Sequence, residues 1–213
     1  MCGRFDQHVG PERLRSAIER LAGLAGLDWT AAPSVRRDGA TLVVPTQSAL
    51  VVALLDRRLL LTERPFGVQS PRGSLVINAR RETLRARPLF REARERGRLL
   101  VPVVGFDESA GARGPGARGH RRSVHFHWEG ELAWLAGLGV GEGFVIVTEA
   151  SAAPVEAVHD REPVALDDEA ALAWLRDGDL PLPGAYGPRV AEPDPTAGSL
   201  FVGEPPGVDP GGD

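Results

Sequence analysis

Leu99-Leu100-Val101-Pro102-Val103-Val104-Gly105-Phe106-Asp107-Glu108 is the stretch whose reading decides the fold. Leu99 to Val104 is an apolar run too short for a helix, and it reads as a buried strand that delivers Glu108 to a turn at its end. Just before it, Pro88 can open a helix that runs through Arg96 and stops at Gly97. Just after it, Ser123 to Trp128, Leu132 to Leu138 and Phe144 to Thr148 read as further strands, separated from it by a Gly/Arg-rich loop at 111–119. Upstream, Leu42 to Val44, Ala49 to Leu55 and Leu59 to Leu61 are strand-like, with Asp56-Arg57-Arg58 turning the chain between the last two. Leu75 to Ile77 forms another apolar strand, which passes through Asn78 into a polar stretch with helical potential. Two more helices frame this centre. One starts at Pro11, carries Leu14, Ala17, Ile18 and Leu21 on one face and ends at Gly23 and Gly26; the other is N-capped by Asp167, carries Leu172, Trp174 and Leu175 and ends at Gly178. The pattern predicts a β-rich α/β protein with a single domain over residues 1–178. Residues 179–213 form a Pro/Gly-rich extension whose end is expected to be disordered.

The chain has 213 residues, 42% of them hydrophobic, enough to bury one substantial core. Its single cysteine excludes an internal disulfide framework and a multi-cysteine zinc site, as suits a reducing compartment. No signal-like start is present and no apolar run approaches the ~20 residues that cross a bilayer, so a cytoplasmic protein without membrane contact is expected. The net charge of −4 is unevenly spread. Residues 72–122 hold 13 arginines against 5 acids, whereas residues 123–213 hold 3 against 17. The middle third is therefore a candidate anion-binding surface, although a row such as Arg91, Arg94 and Arg98 can equally be a solvated helix face.

Met1-Cys2-Gly3-Arg4-Phe5 places the cysteine where removal of the initiator methionine exposes an α-amine beside a thiol. Such an aminothiol captures an aldehyde twice: the amine (pKa ~7.7–8.0) forms a Schiff base, and the thiol (~8.5) closes a thiazolidine ring. A buried free cysteine is the alternative. Three polar residues follow apolar runs and could serve such chemistry. Glu108 could shuttle protons, His159 could assist and Asn78 could orient substrate through its amide, although each could also be an ordinary turn residue. His125 and His127 alternate onto one strand face, but no third ligand is spaced to join them, so neither a metal nor another cofactor is expected.

Four separated blocks resemble the SRAP family, the SOS-response-associated peptidase or abasic-site-processing proteins. They are Cys2-Gly3-Arg4-Phe5, Ile77-Asn78-Ala79-Arg80 with Glu82-Thr83, Pro102 to Glu108, and His159-Asp160-Arg161 with Pro163. The resemblance implies a β-rich fold around a central barrel-like mixed sheet flanked by a few short helices. It also implies a monomer that crosslinks itself to abasic sites in single-stranded DNA through a Cys2 thiazolidine. It makes Cys2, Asn78, Glu108 and His159 the catalytic set. Arg4, Arg80 and Arg161 would hold DNA phosphates, with Pro33 and Phe66 beside the strand. An N-terminal-cysteine hydrolase or self-processing peptidase, an associated lyase activity, and a DNA binder without chemistry are the alternative activities. Ser109 stands where the family has a tryptophan, Trp29-Thr30-Ala31-Ala32-Pro33 lacks an asparagine, and Phe66 to Pro71 leads to no second tryptophan. Stacking is worth ~1–3 kcal/mol per base, so these departures weaken the DNA platform more than the chemistry.

Overall fold

A computed structural model of the protein describes residues 3–33, 35, 42–110, 122–128, 132–188 and 190–193. The strands are β1 (Arg4–Asp6), β2 (Asp28–Ala31), β3 (Leu42–Val43), β4 (Ser48–Leu55), β5 (Arg58–Pro65), β6 (Val68–Gln69), β7 (Leu75–Val76) and β8 (Asn78–Arg80). They continue as β9 (Arg98–Val103), β10 (Gly105–Ala110), β11 (Arg122–His127), β12 (Ala133–Val140), β13 (Gly143–Ala150), β14 (Arg161–Pro163), β15 (Ala165–Leu166) and β16 (Val190–Pro193). Three α-helices accompany them among the described residues: α1 (Pro11–Ala25), α2 (Pro88–Arg96) and α3 (Asp168–Asp177). None of these helices is long and apolar enough to cross a membrane.

The helices form where local chemistry dictates. α1 has a proline in its first turn, buries Leu14, Ala17, Ile18, Leu21 and Ala22 on one face, and closes at Gly26, whose φ of 61° is the left-handed conformation glycine adopts without cost. In α3 the Asp167 carboxylate accepts the Ala170 N–H at 2.8 Å, the N-cap bond its sequence calls for. Beyond Asn78 the expected helical stretch is only a 3₁₀ turn, Arg81–Thr83, because Asn78–Arg80 pairs as a strand with β13.

Two sheets make the body. A five-stranded antiparallel sheet runs β16-β11-β10-β1-β3. A nine-stranded mixed sheet follows the path β14-β13-β12-β9-β4-β5-β2, with β15 on β12 and β8 on β13. β6 and β7 form a separate ribbon. Among the described residues neither sheet closes on itself, so in place of the barrel-like centre expected from the family resemblance there are open sheets packed face to face. One face of the larger sheet packs on the helices through Ile18, Leu21, Phe90, Trp174, Leu100 and Trp134. Its other face meets the smaller sheet through Phe5, Phe106, Phe126, Val101, Leu135 and Phe144. A sheet covered on both sides reads as continuous apolar runs, which explains Leu99 to Val103. β16 comes from the expected extension and adds an edge strand to the smaller sheet. The 111–119 loop and the tail beyond 193 lie outside the described residues.

Pro102 lies in β9, between β12 and the side of β4, and carries no N–H for a ladder. Ladder pairing between β4 and β9 is confined to Val52↔Leu100 and Ala53↔Leu99. Two residues further on, the primary amide of Gln7 stands in for a peptide group. Its Nε2 donates to Leu50 O (2.8 Å) and Pro102 O (3.0 Å), and its Oε1 accepts Leu50 N–H (2.9 Å). Gln7 is 4% exposed, so this amide ties the chain directly after β1 into the larger sheet. Gln7→Ala strands these backbone groups in the interior at about 1–3 kcal/mol each. We therefore expect a clear drop in the urea midpoint, and an unchanged midpoint would show that the clamp adds no stability.

Candidate functional site

β1 lies antiparallel to β10 with Arg4↔Asp107, Phe5↔Phe106 and Asp6↔Gly105 in register. Side chains alternate along a strand, so Glu108 shares the inward face with Phe106 while Asp107 points the other way. Glu108 is therefore an interior residue of β10, not the turn residue expected from its sequence position. Only 3% of it is exposed. Burial pushes its carboxyl up to about 7, with the like charges of Asp160 and Asp107 contributing to the rise. A carboxyl titrating there can both give and accept a proton near neutrality.

The Asp160 that acts on Glu108 lies next to His159, on the loop between the 3₁₀ turn Val155–Ala157 and β14. Ser151 holds this loop: its Oγ donates to His159 O (2.6 Å) and its N–H to Asp160 O (3.3 Å). His159 Nδ1 lies 3.0 Å from Arg161 N and 3.2 Å from Arg161 O, a setting that suits either ring tautomer. Asp160 Oδ1, 3.1 Å from the same Nδ1, is a ready partner for the protonated ring. Arg161 then makes a two-pronged ion pair to Glu82 (2.7 and 3.0 Å) and donates to Thr148 O (2.7 Å). This connects β14 to the turn that follows Asn78 and Arg80. β13 carries both flanks, pairing Ile146 with Asn78, Thr148 with Arg80 and Ala150 with Arg161.

The expected site residues divide by environment. Asn78 is half-buried at the start of β8, and Arg80 at its end is exposed, with no side-chain hydrogen bond among the described residues. Arg4 instead donates to Asp107 (2.7 Å) and Ser123 Oγ (3.1 Å), and Asp107 also receives His125 Nδ1 at 2.7 Å. Two of the three expected phosphate ligands are thus engaged with carboxylates of the protein itself. Pro33 is exposed. Phe66 is 0% exposed, edge-on to Phe5 at 5.1 Å and tilted against Phe144 at 5.4 Å, so it belongs to the core and cannot stack on a base. Cys2 lies outside the described residues. Asp107, Glu149 and Glu162 were not expected from the sequence. Glu149 and Glu162 oppose each other across β13 and β14. Glu149 pairs with Arg81 and accepts Gly184 N–H at 2.9 Å. Glu162 accepts Ala152 N–H at 3.3 Å, and its carboxyl is pushed up to about 7 by burial, with Glu149 and Glu156 adding to the rise. The apolar alternation around these acids gives no sign of them, because it is strand pairing that brings them together.

An α/β body that buries a carboxyl within the field of the loop carrying His159 and Asp160 defines a candidate acid–base site. The sequence matches the family described as SOS response associated peptidase (SRAP) over residues 1–181, and the chain belongs to that family. It is 30% identical over 111 residues to the Escherichia coli (strain K12) protein named abasic site processing protein YedK, a match spanning 47% of each chain. The chain thus matches about half the length of that curated relative. Among solved structures it resembles a phage-related protein from Bordetella bronchiseptica (TM-score 0.62, 28% identity, 82% of this chain and 81% of that one). It also shares its fold with a Bacteroides thetaiotaomicron protein (TM-score 0.59, 19% identity, 82% and 81% covered).

The two raised carboxyls set a pH dependence. Each ordinarily titrates near 4.5 and here near 7, so between those values the folded protein holds protons that the unfolded chain has released. Their contribution to stability is complete below the unfolded value and is lost as pH rises through about 7. Urea midpoints should therefore fall across this window, and Glu108→Gln and Glu162→Gln should each flatten the fall. Parallel curves for wild type and both variants would refute the assignment.

Proposed function

We propose that this protein captures abasic sites in single-stranded DNA as a covalent thiazolidine on the mature N-terminal Cys2, acting as a single chain through a domain ending near residue 178. The observation that carries this reading is the buried, near-neutral carboxyl of Glu108 on the strand that pairs with β1. Extending the β1–β10 register by one step sets Gly3 across from Glu108, and Cys2 directly precedes Gly3 in the sequence. Family membership and the name of the E. coli relative support the substrate class.

The chemistry balances with groups of this chain and water. The neutral α-amine of Cys2 adds to the aldehyde carbon of the ring-opened deoxyribose to give a carbinolamine. Protonated Glu108 delivers a proton to the hydroxyl, which leaves as water, and its carboxylate takes back the proton on nitrogen as the neutral Schiff base forms. The thiol sulfur then adds to the imine carbon while its proton passes to the nitrogen, closing the ring. Aldehyde and aminothiol thus give thiazolidine plus one water, with no change in oxidation state. His159, through its imidazole, and Asn78, through its amide, would orient the sugar and the amine. Arg80 is the arginine best placed to hold a phosphate, being exposed, whereas Arg4 and Arg161 position their own strands through Asp107 and Glu82.

Protein lacking Met1, incubated with an abasic single strand, should yield a heat-stable adduct that Cys2→Ala abolishes. Absence of an adduct with wild type, or its persistence in Cys2→Ala, defeats the reading. Glu108→Gln should slow adduct formation by about 10²-fold or more and remove the inflection near neutral pH from the rate profile, at unchanged DNA affinity. Arg80→Ala should weaken binding to all single strands alike and lower the salt slope by about 0.7, the value for one phosphate contact. Arg161→Ala should instead reduce stability, since it breaks the β13–β14–Glu82 connection.

A further inference from the structure

A second cluster of arginines lies outside the candidate site. A cleft of about 350 Å³ opens between the 3₁₀ turn after β8, helix α2 and the segment after α3, with Arg81, Glu82, Arg85, Arg94 and Asp179 on its wall. The charges in this cleft are not equivalent. Arg81 is engaged by Glu149 and by Pro181 O, and Glu82 is engaged by Arg161. Arg85 and Arg94 make no side-chain hydrogen bond or ion pair among the described residues, and Arg94 is half-buried. Of the two acids on the wall, Glu82 is held in its ion pair, and Asp179 makes none among the described residues.

Helix capping does not account for Arg94. Arg98 alone serves both helix ends, donating to Arg94 O (2.6 Å) and Glu95 O (2.9 Å) of α2 and to Leu175 O (3.1 Å) and Arg176 O (2.7 Å) of α3. Arg94 works against that arrangement: burial lowers the pKa of Arg98, the neighbouring charge of Arg94 lowers it further, and Asp177 offsets part of the fall. The fold thus holds two guanidinium groups close enough to repel, while the side chains of Arg85 and Arg94 face an open cleft. Planar guanidinium forks match the oxygens of a phosphate group.

We infer that this cleft is a phosphate subsite in which Arg85 and Arg94 grip the oxygens of one phosphate group. That group could belong to a DNA strand running past the Arg161–Glu82 rim, or to free phosphate or a small phosphate-bearing molecule. Only the first source rests on the DNA-binding function proposed above.

The test compares wild type with the Arg85→Ala/Arg94→Ala double variant, titrating each with inorganic phosphate at constant ionic strength. It also measures binding to an undamaged single strand as a function of salt. Phosphate affinity should drop about tenfold or more in the double variant. An Arg85→Lys/Arg94→Lys variant should recover part of it, and unfolding midpoints of the double alanine variant without phosphate should equal or exceed that of wild type. If the DNA salt slope also falls by about 0.7, the natural occupant is a backbone phosphate; if the slope is unchanged, it is a free or small-molecule phosphate. Equal phosphate binding together with equal salt slopes for wild type and the double variant overturns the subsite. Adduct formation by wild type on an abasic strand is scored in parallel. An adduct with no subsite effect therefore removes only this inference, and a subsite effect without an adduct removes only the proposed covalent chemistry.

Discussion

The structure depends on how one short strand is held. β1 is three residues long and cannot be stable by pairing alone, yet it joins β10 to β3 in the smaller sheet. Three kinds of force hold it. Phe5 is fully buried against Phe66 and Phe144, Arg4 is fastened to Asp107, and the Gln7 amide fills the gap in the larger sheet left by Pro102. The same proline that breaks the ladder thereby creates the socket for Gln7. The N-terminal segment is in this way anchored to both sheets at once, next to the strand that carries Glu108.

Electrostatics then separates the roles of residues that look alike in the sequence. Glu108 and Glu162 are raised toward neutrality because burial penalises their charged forms, whereas Glu82, paired with Arg161, is held below the usual carboxylate range. The arginines divide the same way. Arg4, Arg81, Arg98 and Arg161 are consumed by carboxylates and carbonyls of the fold, while Arg80, Arg85 and Arg94 keep donors available for an external anion. Part of the excess of arginine over acid between residues 72 and 122 is therefore structural, and part is proposed to bind phosphate.

Much of this could be read in the chain. The helices at Pro11, Pro88 and Asp167 fell where their caps and apolar spacing put them, and the apolar runs became strands within one or two residues, except that β5 runs on to Pro65, four beyond the expected Leu61. Phe66 was misread because its motif position suggested a surface role, and only packing shows that its ring completes an aromatic cluster with Phe5 and Phe144. Glu108 was misread as a turn residue because Gly105 and Asp107 are turn formers; pairing with both β1 and β11 overrides that local preference and carries the strand through to Ala110. The expected barrel failed for a related reason. Whether a sheet closes depends on twist and on which strands meet at its edges, and the apolar pattern of individual strands encodes neither.

By itself, the sequence determined the element types, the two-faced burial of the central strands and the blocks that place the chain in its family, since these rest on local periodicity, capping and residue identity. Tertiary structure alone decided which charges are consumed and which remain available. It turned Glu108 inward to meet the field of Asp160, locked Arg161 to Glu82, and left Arg85 and Arg94 facing an open cleft. The physical reason is that pKa, desolvation and ion pairing depend on distances between residues far apart in the chain, which strand register sets and composition does not.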